Sequence, residues 1–482
     1  MIHWNRNILF ISFFLNILLT NCILNNNSDE KLLFVWEHFR HGARGPYRSF
    51  DEVNWRDLLN EKWNGEGELT SLGMRMHYLL GVSTKNKYFD FLSKEYNPNE
   101  ILVKSTDVNR TILSSYSTLQ GIYNSSTFKN LTEKQIKTAN IQNYNNSDLI
   151  NQKIKELENN AIEGGYGLYP VHIYPTNYDH QFQIYRTDEC PGIKSYLDEI
   201  RNKEEIKKMC NDTSAKINDT YGEFIFKFMN ISGIENPYYL FDFSNLFSIA
   251  DTFIADYYNG RELKIVNDTG INMTNFYNDC LNISFIDSYY RQFGYPVSKL
   301  LYFGVSPVFR TFFNYTDMRI ILDKAGETDK IVSGSPRFVL NAGHDSSLGA
   351  NDLFLKTEFN ISFKRAEYSH SQIYELWRIN GSYFIKYLVN HEEIKTFDYN
   401  EFKNNVLNKL YTPEQISKIC NGEMNLISLT YIKKESKLSK TIFYITSGFI
   451  LFSLVGIFFQ QLYHHKNKIK SLKVNIKSII KS

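Results

Sequence analysis

The chain has 482 residues, a formal net charge of +2, and a composition that is 43% hydrophobic and 15% aromatic. This length is enough for one large core or two domains. The near-neutral balance excludes the basic footprint of a nucleic-acid binder. No CxxC pair or His/Cys cluster indicates a metal, and no cofactor is expected.

Behind Arg6, Ile8 to Leu19 form a largely apolar stretch, the right size for a signal-peptide core and short for a membrane span. Residues 1–22 read as that signal, with cleavage between Thr20 and Leu24. The run Leu32-Leu33-Phe34-Val35-Trp36 reads as a buried strand. Glu37 and His38 follow it and read as a paired polar element beside the site or, preferentially, as residues facing the strand's solvent end. At the carboxyl end stands Arg40-His41-Gly42-Ala43-Arg44. Two guanidiniums match a phosphate bidentately. They would hold it against the imidazole of His41 and disfavour the imidazolium, which leaves a neutral nucleophile. Gly42 lets the backbone turn tightly beside a ligand.

Gly67-Glu68-Leu69-Thr70 leads into Leu72-Gly73-Met74-Arg75-Met76-His77-Tyr78. This opens a helix with Thr70 or Ser71 as N-cap and Met74, Leu79 and Leu80 on one apolar face. Its expected role is to support the site without touching substrate. Ile101-Leu102-Val103 is a second strand, and the segment from Arg110 reads as a helix containing Leu113, Tyr116 and Leu119. Arg110 thus lies at a strand-to-helix transition, where backbone donors and the helix dipole favour an anion.

From Ile122 to Leu240 the chain is polar and Asn-rich, with amphipathic helical patterns such as Ile193 to Met209. Helical patterning continues from Phe243 to Leu301. Phe338-Val339-Leu340 is a third strand-like run, and His344-Asp345 follows it directly. Ser346 to Gly349 look like a helix start, so Asp345 read alone could be a simple N-cap. Three strand ends carrying Arg40/His41/Arg44, Arg110 and His344/Asp345 fit the general rule that open α/β sheets bind ligands beyond the carboxyl ends of their strands. Ile373 to Trp377 and Tyr383 to Leu388 read as a hairpin around Asn380-Gly381 that completes the sheet edge.

Thr441 to Phe459 contains no charged residue. As a helix it would be about 28 Å long, enough to cross a bilayer. The segment beyond holds six lysines and no acidic residue, so it reads as cytoplasmic. With the signal peptide, this describes a single-pass type I membrane protein whose main part lies in a lysosome-like or vacuolar lumen or outside the cell. Removal of the signal leaves Cys190, Cys210, Cys280 and Cys420, an even number that allows three pairings. Fourteen Asn-x-Ser/Thr sequons occur between Asn26 and Asn380. Asn109 is expected to be unmodified, because a glycan there would crowd Arg110.

In this order, the pentapeptide, the Leu69–Tyr78 block, Ser105–Thr111 and His344-Asp345 resemble the motifs of the histidine acid phosphatases, the lysosomal and prostatic type among them. The likeness covers roughly residues 31–425. One departure is Ala43, where that family commonly has an acidic residue. The resemblance implies an α/β fold: a doubly wound core sheet flanked by helices, with a mainly helical cap. Residues 23–121 and 241–425 would form the core and 122–240 the cap. A juxtamembrane linker (426–440), the transmembrane helix (441–459) and a basic tail (460–482) would follow. It also implies hydrolysis of phosphate monoesters, with His41 as nucleophile, Asp345 as proton donor, and Arg40, Arg44, Arg110 and His344 on the phosphate. An acid optimum would follow from a cationic His344 and a protonated Asp345. The surroundings of Cys190 and Cys420 resemble a family disulfide, which leaves Cys210 with Cys280. Expected partners are phosphate monoesters, the bilayer and a second copy in a homodimer. An inositol-phosphate or lysophospholipid phosphatase and a non-catalytic surface binding protein are the alternatives.

Overall fold

The structure, a computed structural model, describes residues 30–47, 65–123, 130–138, 147–175, 181–182, 186, 190–230, 242–260, 270–294 and 298–426. The expected signal peptide, membrane span and basic tail lie outside the described residues, as does the linker beyond Leu426. Among the described residues no helix is long and apolar enough to cross a membrane.

A seven-stranded sheet runs through the core in the order β3-β2-β4-β1-β5-β6-β7. Its strands are β1 (Glu30–Arg40), β2 (Ile101–Thr106), β3 (His172–Tyr174), β4 (Phe338–Gly343), β5 (Ser371–Ile379), β6 (Ser382–Val389) and β7 (Glu392–Asp398). β1 to β4 are mutually parallel, whereas β5, β6 and β7 add antiparallel strands beside β1. The fold is therefore a mixed α/β sheet flanked by helices, and the doubly wound expectation describes only its parallel half. Asn380 and Gly381 both take positive φ, as a tight two-residue hairpin turn requires. Asn390 and His391 repeat that geometry, so β7 rather than β6 forms the sheet edge.

The helices are α1 (Ser71–Lys87), α2 (Asn109–Ile122), α3 (Glu133–Thr138), α4 (Ser147–Leu157), α5 (Lys194–Asn202), α6 (Glu204–Asn230), α7 (Phe243–Tyr258), α8 (Met273–Phe285), α9 (Lys299–Lys324), α10 (Asp345–Phe359), α11 (Tyr399–Leu407) and α12 (Pro413–Cys420). Between β1 and α9, Phe34 and Trp36 meet Phe312 and Tyr315, and Phe312 continues to Tyr374. Ile206, Ile217, Tyr221 and Phe224 of α6 share an apolar cluster with Phe253 and Phe276 of α7 and α8. The helices on either side of residue 240 therefore form one packed layer. β3, within the stretch expected as cap, pairs with β2 in the core sheet.

α1 departs from the expected pattern. Thr70 is its N-cap and accepts from Gly73 N, but the buried face is Gly73, His77, Gly81 and Thr84. Leu79 is 57% exposed and Met74 lies outward as well. The reason is the closeness of the backbones. A Cβ on Gly73 would run into the Ala43 carbonyl, and one on Gly81 into that of Thr118 on α2. Small residues allow this approach, whereas the larger apolar side chains would hold α1 away from the loop after β1.

Cys190 and Cys420 form a disulfide that ties the start of α5 to the end of α12. Cys210 and Cys280, expected as a second pair, are instead free buried thiols. Each is fixed on its own helix, α6 or α8, within the apolar cluster that those helices share, and burial raises both thiol pKa values.

Gly73→Ala is expected to lower stability by about 2 kcal/mol through overpacking, read as a shift of the denaturant midpoint. Leu79→Ala, on the exposed side of the same helix, should shift it by less than about 0.5 kcal/mol.

Candidate active site

β1, β2 and β4 end side by side, and the sequence-singled residues gather there. Arg40 is the last residue of β1 and pairs with Gly343 of β4. His41 N donates to Gly343 O at 3.1 Å, so the loop leaves the sheet still anchored to its neighbour. Arg110 is the second residue of α2, just past β2. His344 is the N-cap of α10 and Asp345 its first residue.

His41 is 2% exposed. Its Nδ1 lies 2.9 Å from Gly42 O, and a carbonyl can only accept. Nδ1 therefore carries the hydrogen, and Nε2 keeps its lone pair. Burial lowers the His41 pKa well below the ordinary value, and Arg110, Arg40, Arg44 and His344 lower it further. The imidazole is neutral, as the two flanking arginines led the sequence to suggest, although burial is the larger cause.

The cations are held by different partners. Arg40 donates through Nη1 to Ala366 O at 2.9 Å and pairs through Nη2 with Asp345 at 3.0 Å. Its guanidinium lies 4.4 Å above the ring of Tyr368. Arg44 makes a two-pronged pair with Asp251 of α7, at 2.7 and 3.0 Å, and Asp251 also accepts from Tyr47 N. Arg110 places Nη2 3.4 Å from His344 Nδ1. Since an arginine can only donate, His344 Nδ1 accepts and its Nε2–H points to Thr106 Oγ1 at 3.0 Å. The two imidazole rings face each other edge-on with centroids 5.6 Å apart.

Two charge expectations are overturned. His344 is not cationic: burial and Arg110 push its pKa well below the usual value, and Asp345 only partly offsets them. Asp345 is not protonated. Burial would raise its pKa, but Arg40, Arg365 and Arg44 outweigh burial and bring it to about 2. Its Oδ1 accepts from Ser346 N at 3.0 Å, while Oδ2 faces Arg40 and, at 3.4 Å, Arg365.

Glu37 and His38 are also not at a solvent end; both are buried, because helices cover both faces of β1. Glu37 accepts from Ser371 Oγ at 2.7 Å and, more weakly, from Thr84. His38 rests on Phe182 and reaches Ser347 Oγ at 3.2 Å. Ser347 in turn exchanges hydrogen bonds with the backbone N and O of His344. His77, in the block expected to support the site, donates from Nε2 to Arg40 O at 3.1 Å. Asp251, Arg365, Tyr368 and Thr106 were not found from the sequence. Asp251 comes from within α7 and Arg365 and Tyr368 from the loop before β5, all outside the motifs, whereas Thr106 ends β2 inside the Ser105–Thr111 block.

Two buried arginines and a half-buried third, converging on a neutral imidazole with a defined tautomer, describe a site for an oxyanion beside a nucleophile. Residues 28–264 match the model of the histidine phosphatase superfamily, branch 2. It is 38% identical over 95 residues to the lysosomal acid phosphatase of Xenopus laevis, covering 20% of this chain and 21% of that protein. It is 35% identical over 108 residues to the prostatic acid phosphatase of Mus musculus, covering 22% and 28%. The chain thus spans about a quarter of the length of the curated relatives it matches. Among solved structures, a Hafnia alvei phytase in complex with tartrate has a TM-score of 0.48 at 12% identity, covering 81% of this chain and 98% of that one.

Burial raises Glu37 from 4.5 to about 7, against the lowering effect of its two hydroxyl partners. The folded state thus holds this proton more tightly than the unfolded chain. Its stabilising contribution is complete below pH 4.5 and is lost as the pH rises through about 7. Between pH 5 and 8 the wild type is expected to lose about 2 kcal/mol that Glu37→Gln keeps. Parallel pH slopes of urea stability for the two proteins would show that Glu37 is not the group responsible.

Proposed function

We propose that this protein hydrolyses phosphate monoesters through a phosphohistidine on His41. The observation that carries this reading is the His41 Nε2 lone pair, freed by the Nδ1–Gly42 carbonyl bond and surrounded by Arg40, Arg44 and Arg110, whose charges act on the ring. Nε2 attacks phosphorus as the ester P–O bond breaks. Arg40, Arg44 and Arg110 take the charge that develops on the non-bridging oxygens. His344 joins them by turning its Nε2–H from Thr106 to the phosphate. Asp345 gives the leaving oxygen its proton, then takes one from the water that attacks phosphorus and breaks the P–N bond.

The ionised resting state of Asp345 fits this sequence. A dianionic phosphate draws Arg40 away from the carboxylate and adds negative charge beside it, and both effects raise the Asp345 pKa. The proton for the leaving group is thus acquired on substrate binding, which favours activity on the acid side of neutrality.

The Cys190–Cys420 disulfide supports an oxidising compartment. The apolar run Thr441 to Phe459 supports a membrane-anchored ectodomain in a lumen or at the cell surface. The relatives named above are lysosomal and prostatic acid phosphatases, in keeping with that placement.

His41→Ala is expected to abolish phosphate release from p-nitrophenyl phosphate; wild-type turnover by this variant would sink the proposal. Asp345→Asn should slow hydrolysis of β-glycerophosphate by about 10² to 10⁴. It should slow p-nitrophenyl phosphate much less, because that leaving group departs without a proton. Equal losses on both substrates would remove Asp345 from the proton-donor role.

A further inference from the structure

Arg365 has no part in the mechanism above, yet it touches the carboxylate that performs the proton transfer. It lies in the loop between α10 and β5, and its side chain is 9% exposed. Nη2 donates to Ser284 Oγ of α8 at 2.7 Å and stands 3.4 Å from Asp345 Oδ2. Its Nε and Nη1 are buried and have no hydrogen-bond partner among the described residues. Buried guanidinium donors left unpaired are costly. The same guanidinium reaches, through Nη2, the carboxylate that is proposed to protonate the leaving group. The groups facing Arg365 are Arg40, Asp345, Tyr289 and Tyr368. Those acting on Asp345 are Arg40, Arg365, Arg44 and His344, with Asp287 nearby. Around Asp345 the cations exceed the carboxylates.

We infer that Arg365 is a specificity-determining residue that binds a second oxyanion, carried by the leaving group next to its bridging oxygen. The inference rests on the proposed phosphatase reading of the same site. A bridging oxygen within hydrogen-bond reach of Asp345 places its neighbouring substituent about 5 Å from Arg365, given a contact of about 2.8 Å at each step. An anionic substituent there accepts a charge-assisted hydrogen bond from Arg365. It also relieves Asp345 of its second cation, so that the carboxyl takes up the proton it must donate. With a neutral leaving group, Arg365 keeps its hold on Asp345 and opposes protonation. One residue thereby couples the charge of the leaving group to the readiness of the acid.

The test uses non-hydrolysable probes with the full chain. Calorimetric affinities would be measured for methylphosphonate, phosphonoacetate and methylenediphosphonate, with wild type, Arg365→Gln and Arg365→Lys. Wild type is expected to bind one or both doubly anionic probes at least about tenfold more tightly than methylphosphonate. Arg365→Gln should reduce that ratio to near one, and Arg365→Lys should restore part of it. Preference for phosphonoacetate alone identifies a carboxylate as the second anion, and preference for methylenediphosphonate identifies a phosphate. A ratio near one in wild type, or one unchanged in Arg365→Gln, overturns the inference. Because the readout is binding, absence of phosphate release by wild type would count against the hydrolytic reading and leave this test decisive.

Discussion

Four guanidiniums crowd the carboxyl ends of three parallel strands, and two carboxylates hold three of them. Asp345 pairs with Arg40 and faces Arg365, while Asp251 grips Arg44 with both oxygens. Arg40 and Arg44 are almost fully buried, where uncompensated positive charge would be expensive. Arg110 shows the strain of the arrangement most directly: burial and Arg44 lower its pKa to about 10. The site thus remains positive overall even with its carboxylates in place. In the proposed function, an incoming phosphate would complete the compensation.

That arrangement needs a stiff frame, and the frame is built from backbone contacts and buried polar groups more than from apolar side chains. The glycine face of α1 presses on Ala43, and His77 on the same helix holds the Arg40 carbonyl. On the other side, His38 and Ser347 secure the backbone of His344. Glu37, Ser371 and Thr84 fill the interior between β1, β5 and α1 with hydrogen bonds. Fully satisfied networks of this kind define a single geometry, and a phosphate held between opposed arginines requires one.

The carboxylate pairing also accounts for an apparent conflict. Asp345 is positioned to donate a proton, yet its neighbours hold it ionised. Its charge state is a property of the complex and not of the residue. In the proposed mechanism Arg40 exchanges a carboxylate for a phosphate, and the proton on Asp345 follows from that exchange.

The amino-acid sequence by itself determined the strands that end at Arg40, Thr106 and Gly343, the His41 pentapeptide, Arg110, the His344-Asp345 pair and the Asn380-Gly381 hairpin. These are local signals: apolar runs, a turn residue, charged groups at strand ends. Tertiary structure decided the rest. It buried Glu37 and His38 by covering both faces of β1, turned the apolar side of α1 outward so that glycines could meet the β1 loop, and left Cys210 and Cys280 unpaired on separate helices. It brought Asp251 from α7 and Arg365 from the loop before β5, far along the chain from the residues they touch. It also set the charges of His344 and Asp345. Burial and long-range charge act through space, so no window of sequence contains them.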